Sequence, residues 1–319
     1  MTLFALWDDG ARMTTLPVWP RLRRGDDFVS LGRFWALAKQ IAVCCGYASR
    51  PSFLIIGAAK SGTTALHAYL SLHPHIRPAW DKEVHFFDQD VSYRRGSSWY
   101  HTRFTLPHRL ARQAVSFCAT PDYLFVPQCA ERIYRYNPNL KLVAVLREPV
   151  ERAYSFWHML RNFHECHQGR PILNQAARFD PPIRRDYRQL FAAGRFPAFE
   201  DWVDRELAAP PNAFLARQPN LVQYGLYHEQ LRRFYQWFKP DQILILDHQQ
   251  LMQNTRAALD QVTDFLGLSR HDWDGRIEHK VGKQDYSIEL KAATRRRLQR
   301  FFQPHNRALG KLTGLEFGW

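Results

Sequence analysis

The chain has 319 residues, 45% hydrophobic and 23% charged, the proportions of a globular protein long enough to bury a sizeable core. Lys and Arg number 44 against 30 Asp and Glu, and the net charge of +14 disfavours cationic partners while favouring nucleotides, sulfated or uronic-acid glycans, nucleic acid or an anionic membrane. Five cysteines, at 44, 45, 118, 129 and 166, follow no metal-ligand spacing, and the 14 histidines contain no paired-ligand motif, so neither a disulfide framework nor a metal site is predicted.

Residues 1–50 read as an N-terminal extension. It lacks the charged start and apolar core of a secretory signal, which predicts a cytoplasmic protein. Leu31, Phe34, Trp35, Ala38, Ile41, Ala42 and Cys45 share one helical face. Arg33, Lys39 and Gln40 interrupt the stretch too often for it to span a bilayer. That face is expected to pack on the domain, with peripheral membrane contact as the alternative.

Pro51 opens a domain predicted to cover residues 51–319. Phe53-Leu54-Ile55-Ile56 reads as a buried strand, Gly57 to Gly62 as a loop, and Thr64–Leu72 as a helix stopped by Pro74. Such a loop turns several backbone N–H groups towards one point at the positive end of a helix dipole, which is a phosphate cradle. A Walker A loop places its lysine after the second glycine. Here Thr63 holds that place and the lysine comes early, at Lys60.

Asp81-Lys82-Glu83-Val84-His85-Phe86-Phe87-Asp88 follows. A carboxylate set against Phe86 and Phe87 is expected to have a raised proton affinity, as suits a general base. The chain then reads as loop-rich to about Asn139, and Lys141–Asn162 forms a second strand-helix unit. Leu142–Leu146 is apolar throughout, as in a central parallel strand, and Pro149 suits the first turn of a helix. Arg147 thereby falls at the carboxyl end of a strand, where open α/β sheets bind ligands, with Ser155 about two helical turns later. A guanidinium fork and a hydroxyl there would grip a second phosphate.

Residues 164–198 are rich in Arg, Pro and Gly and show no clear core face. Tyr227–Phe238 and Thr255–Leu266 read as helices around the strand Gln242–Asp247, and the loop His279–Gln284 leads to a helix over Ile288–Phe302. Helices alternating with apolar strands predict a P-loop-like, three-layer α/β/α fold around a parallel sheet. An ATP-dependent P-loop kinase would need a carboxylate at a strand end to hold Mg²⁺, and Asp247 occupies such a position. A non-catalytic basic module that binds glycan or nucleic acid explains the charge but not the two phosphate loops.

Several of these segments resemble the sulfotransferases that use 3′-phosphoadenosine-5′-phosphosulfate (PAPS). Lys60-Ser61-Gly62-Thr63-Thr64-Ala65-Leu66 matches their K-x-G-T-[ST]-x-L loop, and Arg147 to Ser155 matches R-[DE]-P-x-x-R-x-x-S. Lys82 to Asp88 is similar to the K-E-V-H-F-F-D segment of the heparan sulfate N- and 3-O-sulfotransferases. The ending Pro304-His305-Asn306 through Phe317-Gly318-Trp319 is similar as well. The resemblance implies the sulfotransferase fold, PAPS as co-substrate and no metal. It implies Glu83 as base supported by His85 and Asp88, and Lys60 as the cation at the leaving group, with Lys82 assisting. Ser61, Gly62, Thr63 and Thr64 would hold the 5′-phosphate, Arg147 and Ser155 the 3′-phosphate, and Lys283 would close over the nucleotide. The implied acceptor is an acidic or sulfated glycan, with a small metabolite as the alternative, and nucleic acid is not expected as a partner. Two departures bear on the acceptor. Ala119 stands where the 3-O group's K-T-P-x-Y-F segment carries a lysine, and the C-terminal disulfide loop of that group is absent.

Overall fold

The computed structural model describes residues 37–107, 114–167, 173, 180–192, 194–209, 219–273, 277 and 288–319. Five strands carry the architecture: β1 (Pro51–Gly57), β2 (Ile76–Pro78), β3 (Val115–Ala119), β4 (Lys141–Leu146) and β5 (Ile243–Asp247). They pair in parallel in the order β2-β3-β1-β4-β5. The helices are α1 (Thr63–Leu70), α2 (Asp90–Tyr93), α3 (Gly96–His101), α4 (Cys129–Tyr136), α5 (Pro149–His167), α6 (Pro181–Ala192), α7 (Phe199–Ala208), α8 (Tyr227–Tyr235), α9 (His248–Gln253), α10 (Thr255–Leu266) and α11 (Ala292–Thr313).

Alternation along the central strands separates two cores. Phe53 and Ile55 of β1, with Val143 and Val145 of β4, face Leu66 of α1 and Leu259 and Val262 of α10. Leu54 and Ile56, with Leu142, Ala144 and Leu146, face Ile133 of α4 and Leu231 and Phe234 of α8. Both faces are therefore covered, which is why these strands read as unbroken apolar runs. Each buried Val, Leu, Ile or Phe side chain among them contributes about 1.5–3 kcal/mol. A third cluster unites α5, α6, α7 and α11 through Trp157, Tyr187, Val203 and Phe302. Order reverses at β1, which has the earlier excursion to β2 and β3 on one side and β4 on the other. This is the switch point at whose carboxyl edge ligands bind.

The structure differs from the sequence expectations in four places. The region before Asn139 is not loop-rich: it holds α2, α3, α4 and the internal strand β3. Val115-Ser116-Phe117-Cys118-Ala119 is short and half small or polar, so burial by neighbours, not its own pattern, makes it a strand. Residues 164–198 do carry a core face, since α6 buries Tyr187 and Phe191. The last helix begins at Ala292 and runs through Pro304 to Thr313. Pro304 lies on the exposed side, where water can take the carbonyl its missing N–H leaves free, while Leu298, Phe302 and Leu309 stay buried on the other. In the helix over 37–44 the expected packing face is wrong in part: Val43 is buried, whereas Ile41 and Cys45 are exposed.

Candidate active site

The first loop leaves β1 at Gly57 and enters α1 at Thr63. A Cβ at Gly57 would stand 2.6 Å from Leu124 Cβ, so only glycine allows this approach. Gly62 caps α1 with a φ of +89°, which glycine adopts without strain. No side chain caps α1 and its first turn holds no acid, so the N–H groups of that turn are left for a ligand. Lys60, inside the loop, takes a left-handed φ of 68°. Its ammonium lies 3.3 Å from Met159 Sδ on α5. Burial, then Arg147, lower its pKa to about 8, although Glu83 pulls the other way.

Arg147, at the end of β4, donates from Nη1 to the Lys60 carbonyl at 3.3 Å. Tyr227, the first residue of α8, donates its hydroxyl to the Arg147 carbonyl at 2.9 Å. The two anion-binding segments expected from the sequence are thus joined directly. Ser155 is buried on α5, two turns beyond Pro149. Arg152, between them, is fully buried, donates to the Leu221 carbonyl and lies 5.6 Å over the Tyr224 ring. Lys283 lies outside the described residues.

The third segment hangs beside this edge. The Glu83 N–H donates to the Ala119 carbonyl at the end of β3, 3.0 Å away, and the residue adopts a φ of 62°. Phe86 and Phe87 act as the anchor beneath: Phe86 stacks on Tyr100 at 4.4 Å, and its N–H donates to the Tyr123 hydroxyl at 3.1 Å. The expected rise in the proton affinity of Glu83 is not found. Burial does push its pKa up, but the ion pair with Lys82 and the charge of His85 outweigh it and hold the carboxyl below its ordinary value. About a third of the Glu83 side chain stays exposed (35%).

His85 takes a φ of 51° and places Nδ1 2.6 Å from Asp88 Oδ2 and 3.9 Å from Asp122 Oδ2. Burial lowers its pKa, but Asp88, Asp122 and Glu83 together lift it to about 9. At neutral pH it is therefore an imidazolium and no proton acceptor. Asp88 and Asp122 thus converge with their carboxyl oxygens on one ring nitrogen of His85. Asp122 also accepts from the Tyr224 hydroxyl at 3.0 Å, and burial raises its pKa to about 6. Asp88 stands where the resemblance implied an aspartate supporting the base, whereas Asp122 was not singled out in the sequence. Asp122 carried no local signal, because the turn Pro121–Tyr123 brings it in from β3.

Asp247, the carboxylate that a Mg²⁺-dependent P-loop enzyme would need, is already used. Its Oδ1 accepts from the N–H groups of Gln249 and Gln250 as the cap of α9, and its Oδ2 accepts from Trp319 Nε1 at 3.0 Å.

The sequence profile of the sulfotransferase domain matches residues 50–284. The chain belongs to the sulfotransferase family. Human heparan sulfate glucosamine 3-O-sulfotransferase 6 is 28% identical over 291 residues, covering 84% of this chain and 73% of the relative. Human bifunctional heparan sulfate N-deacetylase/N-sulfotransferase 3 is 29% identical over 227 residues, 69% of this chain and 23% of that much longer protein. A sulfotransferase from Alicyclobacillus acidocaldarius superposes with a TM-score of 0.59 at 24% identity, over 84% of this chain and 98% of the other, and shares the fold. The protein is a PAPS-dependent sulfotransferase with the α/β fold of that family, built on a five-stranded parallel sheet. Among the described residues no helix is long and apolar enough to cross a membrane.

Proposed function

We propose that the chain transfers the sulfuryl group of PAPS to a hydroxyl or amine of a glycan, in a glucosamine sulfotransferase manner. The observation that carries this is the junction at the sheet edge. Arg147 and the Lys60 loop are hydrogen-bonded to each other, and the charge of the Glu83 carboxylate acts on the Lys60 ammonium. The glycan follows from the similar relatives, which are named for heparan sulfate glucosamine, and from the excess of arginine and lysine. A small metabolite is the other acceptor class.

Backbone N–H groups of Ser61, Gly62, Thr63 and Thr64 hold the 5′-phosphate. Arg147 and Ser155 hold the 3′-phosphate, with Lys283 as a further contact. Glu83 takes the proton of the acceptor as its oxygen or nitrogen bonds to sulfur. The bond between sulfur and the oxygen of the 5′-phosphate breaks, and Lys60 donates to that oxygen as charge builds on it. Lys82 and the His85 imidazolium hold Glu83 ionised, so it is ready to accept a proton at neutral pH. A carboxylate with a depressed pKa is a weak base, which suits a loose transition state in which proton transfer comes late. The catalytic domain covers residues 51–319, residues 1–50 form an extension, and the protein works in the cytoplasm.

The test is calorimetric titration with 3′-phosphoadenosine-5′-phosphate (PAP), with 5′-AMP and Mg-ATP as controls, followed by transfer from labelled PAPS to desulfated heparan chains. Micromolar binding of PAP and labelled polysaccharide support the reading. Binding of ATP alone overturns the donor, and label only in small acceptors overturns the glycan.

A further inference from the structure

A second group of metal-ligating side chains lies outside the candidate active site. His228 and Glu229 are in the first turn of α8, and His305 follows Pro304 on α11, the helix packed against α8. One ligand atom from each of the three lies within 4.8 Å of the others. His228 Nε2 is 4.0 Å from Glu229 Oε1, and the two imidazole centroids are 5.0 Å apart. His228 Nδ1 is buried and has no hydrogen-bond partner among the described residues. An unmatched buried ring nitrogen carries a desolvation cost that a bound partner or an ordered water relieves.

We propose that His228, Glu229 and His305 bind a divalent cation of the Zn²⁺ class and so staple α8 to α11. Two imidazoles and a carboxylate form a donor set that suits Zn²⁺, with a fourth position left for water. Tetrahedral bonds of about 2.0–2.1 Å bring ligand atoms to roughly 3.3 Å from one another. Closing from 4.8 Å needs small torsional changes in three side chains that all retain some solvent exposure. The Arg232 guanidinium opposes a cation here and Glu229 offsets it. The site has a structural role and takes no part in sulfuryl transfer. Its position still matters to the donor site, because Tyr227, the neighbour of His228, supports the Arg147 carbonyl. Sequence scanning overlooks such a site, since His228 and His305 are 77 positions apart on two helices.

The experiment uses tag-free full-length protein stripped with EDTA and dialysed. ZnCl₂, and MgCl₂ as control, are titrated by calorimetry and followed by thermal denaturation, and CoCl₂ is added to read the visible spectrum of four-coordinate Co²⁺. One Zn²⁺ per chain, a raised Tm with zinc but not magnesium, and loss of both in H228Q/H305Q are expected. Glu229→Gln alone should weaken binding by about tenfold or more and keeps the test valid if the double variant misfolds. No stoichiometric zinc in the wild type, or undiminished binding in the variants, would overturn the site. PAP titration of the same preparations reports on the donor site separately.

Discussion

The Lys60 ammonium rests 3.3 Å from the thioether sulfur of Met159, a weak acceptor that leaves its charge poorly solvated. Together with the nearby Arg147 guanidinium, burial brings its pKa to about 8. Lys60 is thus cationic at pH 7 and loses its proton as pH rises through 8. PAP affinity should fall several-fold between pH 7 and 9.5 by calorimetry. Lys60→Met should bind more weakly at pH 7 and lose that part of the pH dependence. A wild-type affinity independent of pH across this range would remove Lys60 from the phosphate site.

Glu83→Gln keeps the backbone bond to Ala119 and the size of the side chain while removing the base. Turnover should drop by about 10²–10⁴-fold with PAP affinity unchanged. Weak PAP binding with normal turnover at saturating PAPS would falsify the assignment.

Arg147→Ala should weaken PAP by about 1–3 kcal/mol, the scale of a charged hydrogen bond, and leave 5′-AMP nearly unaffected. An equal loss for both nucleotides would place Arg147 at the 5′-phosphate instead.

His85 offers a measurement independent of catalysis. Its folded pKa of about 9 exceeds the ordinary 6.5, so its stabilising effect is complete below pH 6.5 and is lost as pH rises through 9. Nitrogen-detected NMR titration should find a ring titrating near 9 in the wild type and well below that in Asp88→Asn. Urea midpoints should fall from pH 6 to pH 9 more in the wild type than in the variant. An imidazole that titrates near 6.5 would contradict the cluster.

The positions of the first loop and of Arg147 in the fold were legible in the sequence because local geometry sets them. A glycine-bounded turn between a strand and a helix presents its N–H groups whatever lies around it, and Arg147 is placed by the end of an apolar strand. The charge state of Glu83 was not legible, because it depends on how the chain turns at two left-handed residues, 83 and 85, to bring Lys82 and His85 against it. Asp122 was hidden for a similar reason: it reaches His85 only because β3 lies beside β1, and β3 itself was too short and mixed to recognise. The helix through Pro304 shows tertiary burial overriding a local breaker.

The bond that suspends Glu83 is made to the main-chain oxygen of residue 119, not to its side chain. Every amino acid owns that oxygen. The side chain at 119, alanine in this chain, can therefore be exchanged without unhooking Glu83. Under the function proposed above, a change of side chain at 119 can alter the surroundings of Glu83 while its backbone anchor stays where it is.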